Sequence, residues 1–186
     1  MPESTGDELF WRETYFIVFP RDRQPSLQAV QRALAKADNR LQLENPAGDD
    51  QGRFASLFVE SPEDHAAVEI SFETGEAIVE QNLEWAKRLQ KNLPARQLQL
   101  LMTSDSRIDV AHFERVKAGG KAPQADEPFD PGDMWDDSGD GDDGDDGEFA
   151  EPPVEMLDPT CLLTVVETLA GLTKGITIDA AAGEVL

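Results

Sequence analysis

A single cysteine, Cys161, leaves the chain without any internal disulfide, so its fold rests on packing alone. Basic residues are scarce as well. Lys and Arg number 16 against 38 Asp and Glu, a formal net charge of −22. That balance excludes direct binding to nucleic acid, whose phosphates demand a basic face, and it disfavours anionic membrane surfaces. No apolar run reaches the roughly 18 residues that span a bilayer. The opening MPESTGDELFWRE lacks the basic region and apolar core of a signal peptide, and the expectation is a cytoplasmic protein. Also missing are GxxxxGK[ST], GxGxxG, CxxC, HExxH and GxSxG, the short signatures of phosphate, dinucleotide, metal and nucleophile chemistry. No catalytic residue, cofactor or metal is assigned.

What the chain holds in excess is acid. Asp126–Glu155 carries 14 of the Asp and Glu residues with no Lys or Arg, set among Gly and Pro. Like charges at this density repel and bury almost nothing, which is the composition of disorder. Read as an EF-hand from Asp136, the tract satisfies Ser138, Asp140 and Gly141 at positions three, five and six. It fails at position twelve, where Gly147 stands for Glu, so the tract attracts cations diffusely and defines no calcium site.

The tract also holds aromatic and large apolar residues that a charged linker has no local use for. Phe129, Met134, Trp135 and Phe149, with Asp142, Asp143, Asp145 and Asp146, are the candidate partner-docking residues. In composition the tract resembles the acidic tails of histone chaperones and single-strand-binding proteins. The plainer alternative is a solubilising tether. Either way, a partner chosen by charge is basic.

Elsewhere the patterning is that of a folded domain. Thr14–Phe19 (TYFIVF) reads as a buried strand ended by Pro20. Leu27, Val30, Leu34, Ala37 and Leu41 repeat at helical spacing behind a Ser26 N-cap, a helix over 26–39. Leu41–Glu44, Phe54–Val59 and the alternation Val68, Ile70, Phe72 predict three strands with short loops, an antiparallel meander. A helix over 74–93 turns Ile78, Val79, Leu83, Ala86 and Leu89 inward. Leu98, Leu100 and Met102 alternate with Gln97, Gln99 and Leu101 and predict a strand, and Ile108–Val116 predicts another.

Beyond the acidic tract, Asp158-Pro159 opens a helix over 159–174 with an inward stripe of Leu162, Val165, Val166, Leu169 and Leu172, stopped by Lys174-Gly175. A short strand, Ile176–Ile178, and a hairpin follow. A helix of this length is marginal alone, and burying its stripe gains more than closing the intervening loop costs, on the order of 3 kcal/mol plus a constant. The expectation is one domain, 1–120 completed by 157–186, with an acidic disordered insert at 121–156.

His65 falls in a loop. His112 shares a strand face with Ile108, Val110 and Glu114 and reads as a packed histidine rather than a general base. Cys161 enters at the first turn of a helix and reads as an inert buried thiol.

The closing LAGLTKGITIDAAAGEVL resembles a family of bacterial α+β proteins of unassigned activity, in which a helix ends at a small–Gly step before a strand and a D-P-x-x-G hairpin. Ala180 stands where that pattern has Pro, and the match covers Leu169–Leu186 alone. SDSRIDVAHFE is similar to the same group. The resemblance implies a fold but no activity.

The predicted fold is α+β, a largely antiparallel sheet with three helices on a ferredoxin-like plan with additional strands. The predicted function is a non-enzymatic acidic binding or inhibitor-type module that engages a basic protein surface. The alternatives are a small enzyme with a cryptic pocket, tested by whether His112, Asp109, Glu114, Arg107 and Cys161 converge, and a structural subunit that self-associates by a sheet edge.

Overall fold

The β-branched and aromatic run TYFIVF lies within β1 (Glu8–Phe19), and Pro20, without an N–H for the ladder, follows its last residue. The computed structural model describes residues 8–116 and 159–186. After β1 come a 3₁₀ turn (Arg21–Arg23), α1 (Leu27–Ala37), β2 (Gln42–Gly48), β3 (Phe54–Ser61), β4 (Ala66–Thr74), α2 (Glu76–Leu89), α3 (Ala95–Thr103) and β5 (Ser106–Val116). The second described stretch supplies α4 (Thr160–Thr173), β6 (Ile176–Asp179) and β7 (Glu184–Val185).

The fold is α+β, with one seven-stranded sheet in the order β2-β3-β4-β5-β1-β6-β7, every neighbouring pair antiparallel. The meander β2-β3-β4 forms from consecutive strands, as their alternation predicts. In a ferredoxin-like plan one strand separates the two that flank the first helix. Here β3, β4 and β5 all lie between β1 and β2, so the additional strands widen the sheet at that point.

Alternation along β1 sorts the helices into two layers, because successive side chains leave a strand on opposite faces. Tyr15, Ile17 and Phe19 point into a core shared with Val30 and Leu34 of α1 and Leu162, Val165, Val166 and Leu169 of α4. Val18 and Phe16 point the other way, against Ala86 and Leu89 of α2, Leu101 of α3, and Ile176 and Ile178 of β6. Each fully buried Leu, Ile or Val contributes roughly 1.5–3 kcal/mol gross. All described residues fall in a single compact unit.

Local chemistry sets the helix ends. Ser26 Oγ accepts a hydrogen bond from the Ala29 N–H at 3.1 Å, capping α1. Gly75, at φ 126, opens α2 in a conformation closed to other residues. Lys174, at φ 52, ends α4 in the left-handed conformation, one residue earlier than the Gly175 stop expected from the sequence. Pro159 is the N-cap of α4, and the helix starts at Thr160.

Several elements differ from the sequence reading. Four α helices stand among the described residues, not three, because Ala95–Thr103 is helical where a strand was expected. Ala, Arg, Gln, Leu and Met are all good helix formers, and the stretch has no β-branched residue before Thr103. Leu101 is fully buried and Met102 is 52% exposed, so the buried side is not the one that alternation assigned. Within α2, Asn82 is buried and Leu83 is exposed. Leu172 of α4 is exposed rather than inward. β1 starts six residues before Thr14, and β2 runs on through Pro46 to Gly48, past the expected end at Glu44. No helix among the described residues is long and apolar enough to cross a membrane.

Candidate functional site

Directly paired residues on antiparallel strands share a face, so the register reads out what each face presents. On the face that carries α2 and α3, one row runs Glu60, Ala67, Phe113, Trp11, and the next runs Phe58, Glu69, Ala111, Thr14. A third row is Ser56, Ser71, Asp109, Phe16, Ile178. The helices pack at the far end of this face, over Phe16, Val18, Ile176 and Ile178. The rows of Trp11 and Phe58 lie at the near end. Trp11 is 59% exposed and Leu9 43%, while Phe58 and Phe113 are half-buried. The result is an open apolar strip bordered by acid.

Its polar groups divide into paired and unpaired. Arg115 pairs with Glu60 across the strip's edge. The Trp11 indole N–H donates to Thr14 Oγ1 at 3.0 Å, which leaves the ring plane available for contact. Glu69 is exposed and forms no ion pair among the described residues. Further along, Arg107 lies with Nε 2.6 Å from Asp109 Oδ1, donates from Nη1 to Gln81 at 2.6 Å, and stacks 4.1 Å from the Phe16 ring centroid. Burial holds the Asp109 carboxyl above the ordinary carboxylate range, against the pull of Arg107.

The five residues whose convergence would favour an enzyme are dispersed. Arg107 and Asp109 point to the α2 and α3 face; His112 and Glu114 point to the other. His112 is 3% exposed, with Nδ1 3.3 Å from Glu13 Oε1 and no hydrogen-bond partner on Nε2 among the described residues. Glu114 pairs with Arg12. Tyr15 donates to Glu13 at 3.3 Å, and its phenol is pushed up to about 12, first by burial and then by the charges of Glu13 and Asp179.

Cys161 is a core residue of α4, 1% exposed. Its thiol is pushed up to about 11, chiefly by burial and then by Asp64 and Asp38. Burial of this kind disfavours the thiolate, the form that acts as a nucleophile. His65 is exposed in the β3–β4 turn at φ 49, as its loop position predicts.

The eight docking residues named from the sequence, Phe129, Met134, Trp135, Asp142, Asp143, Asp145, Asp146 and Phe149, lie outside the described residues, as does the imperfect EF-hand register. The strip around Trp11 was not found from the sequence. A register shift between Trp11 and Glu13 breaks the alternation there, so the first half of β1 carries no period-two signal. At the sheet edge, β2 holds Pro46 and two register shifts, devices that blunt pairing with another strand. No family model, no curated protein and no solved structure matches this chain.

Proposed function

We propose that the chain is a non-enzymatic binding module that engages a basic protein surface. One observation carries the reading: Trp11, 59% exposed, stands across from Phe113 on a part of the sheet that no helix among the described residues covers, with Glu60 in the same row and Glu69 in the next. Aromatic anchors ringed by polar groups are the usual centre of a protein contact. The chain's net charge of −22 adds a long-range field that attracts cationic partners and speeds encounter. The acidic tract at Asp126–Glu155, with its own aromatic residues, is the second element offered to the same kind of partner.

Fluorescence of Trp11, isolated by Trp85→Phe and Trp135→Phe, tests this with an extended peptide of alternating Lys and Leu as probe. The expected result is a saturable shift that weakens steeply with salt and is lost in Trp11→Ala (read by peptide anisotropy) and in Phe113→Ser. A second variant replaces Asp126–Glu155 by Gly/Ser. Retained binding assigns the contact to the strip; lost binding assigns it to the tract. Binding of the peptide that neither the strip nor the tract variants alter, or no binding at low salt, overturns the proposal.

A further inference from the structure

At the other end of the sheet from Trp11, roughly 26 Å along β1, lies a cleft of about 600 Å³ lined by Arg23, Arg96, Gln97, Gln99, Leu100, Thr103, Lys174, Gly175 and Ile176. Among the described residues, three cations and no carboxylate line it, in a chain with more than twice as many acids as bases. We propose that this cleft binds a small phosphorylated ligand bearing hydroxyl groups, of the sugar-phosphate class.

The three cations reach the cleft from distant parts of the chain. Arg23 ends the 3₁₀ turn that follows β1, Arg96 sits in the first turn of α3, and Lys174 is the left-handed residue that ends α4. None of them forms an ion pair among the described residues, although Arg23 Nη1 lies 3.4 Å from the Lys174 carbonyl oxygen. Gathering three like charges without a counter-charge is unfavourable for the free protein, and an anion relieves it.

Gly175 makes the arrangement possible. A Cβ there would meet Ile17 Cγ2 at 2.8 Å and the Val18 carbonyl oxygen at 2.9 Å, so only glycine lets the chain pass this close to β1 and set Lys174 on the rim.

The lining distinguishes ligand classes. Guanidinium groups offer paired donors that match phosphate oxygens, and an ammonium adds a compact charge. Gln97, Gln99 and Thr103 supply donors and acceptors suited to hydroxyl groups, over a floor of Leu100 and Ile176. Among the described residues no aromatic ring lines the cleft, so they offer no stacking platform for a nucleobase. Its volume suits a small molecule. Counter-charge from the acidic remainder is screened beyond about 8 Å at physiological salt, which leaves the local cations dominant.

Isothermal titration of the full chain with ribose 5-phosphate, ribose and tricarballylate tests the assignment. One equivalent of ribose 5-phosphate should bind, and ribose should not. Arg96→Gln should weaken binding by about tenfold or more, and so should Lys174→Asn, chosen because Asn tolerates the left-handed backbone. Both side chains are exposed, so the unliganded variants should melt like the parent. No saturable heat with ribose 5-phosphate up to about 10 mM, a range that covers even weak sites, overturns the proposal. So does unchanged affinity in the Arg96→Gln, Lys174→Asn double variant, or tighter binding of tricarballylate than of ribose 5-phosphate.

Discussion

Arg107 and Asp109 stand two residues apart on β5, on one face, with Arg107 Nε 2.6 Å from Asp109 Oδ1 and only 10% of the Arg107 side chain exposed. The pair is trapped beneath Gln81 and Phe16 rather than displayed to solvent. Removing one partner leaves the other charge buried. Breaking a fully buried pair costs about 3–5 kcal/mol, and with Asp109 24% exposed a figure of about 2–3 kcal/mol is expected for Asp109→Ala. Urea unfolding should show this loss, and Asp109→Leu with Arg107→Met should recover most of it. Equal stability of wild type and Asp109→Ala would show that the pair is effectively solvated.

Leu169 has no exposed surface and packs in the core that α4 shares with β1 and α1. Leu169→Ala should therefore cost about 2–5 kcal/mol, read as a lower melting temperature at fixed ionic strength. A chain ended after Glu155 loses α4 and β6 together and bares Ile17 and Val18 of β1. It should aggregate or fail to melt cooperatively. A truncated chain that melts like the parent would contradict the packing role of the C-terminal segment.

Gly175→Ala introduces a methyl group 2.8 Å from Ile17 Cγ2 and 2.9 Å from a backbone oxygen, which cannot move aside as a side chain can. Overpacking of this kind costs about 1–3 kcal/mol. Gly171, whose added Cβ meets nothing within 4 Å among the described residues, is the control. Because it lies inside α4, Gly171→Ala should be neutral or stabilising by roughly 0.5–1 kcal/mol. Reversed ranks in thermal melts would refute the close approach of β6 to β1.

Two groups shape the alkaline limb of stability. Cys161 is raised from 9.0 to about 11 and Tyr15 from 10.0 to about 12, both first by burial. A raised folded pKa contributes stability that is complete below the unfolded value and is lost as pH rises through the folded one. The denaturation midpoint should thus be insensitive to these groups below about pH 9 and fall between there and about pH 12. Tyr15 is the chain's only tyrosine, so tyrosinate absorbance reports it directly. A native titration near 10, or fast labelling of Cys161 by a thiol reagent in native protein at mildly alkaline pH, would contradict the burial of each.

What the sequence determined by itself is local. Ser26 caps α1 because its hydroxyl needs only the N–H three residues on. Val68 and Ile70 face one core because strand alternation has a fixed period, and the stripe Leu162, Val165, Val166, Leu169 is buried because helix periodicity and apolar content agree. Ala95–Thr103 escaped because Gln and Leu alternate by chance at period two while every residue before Thr103 favours the helix, and α3 gains its burial from Val18, Ile176 and Ile178, residues remote in sequence.

Tertiary structure decided the rest. The strand order depends on β5 pairing with both β4 and β1, contacts whose cost is loop closure and which no short window encodes. Trp11 became part of a surface only when the bulge before Glu13 turned it toward Phe113. Arg23, Arg96 and Lys174 are three ordinary surface cations along the chain, and they share a cleft because the end of β1, α3 and the end of α4 meet at one end of the folded sheet. Periodicity reports which side of an element is apolar; only packing against distant elements brings separate side chains to one place.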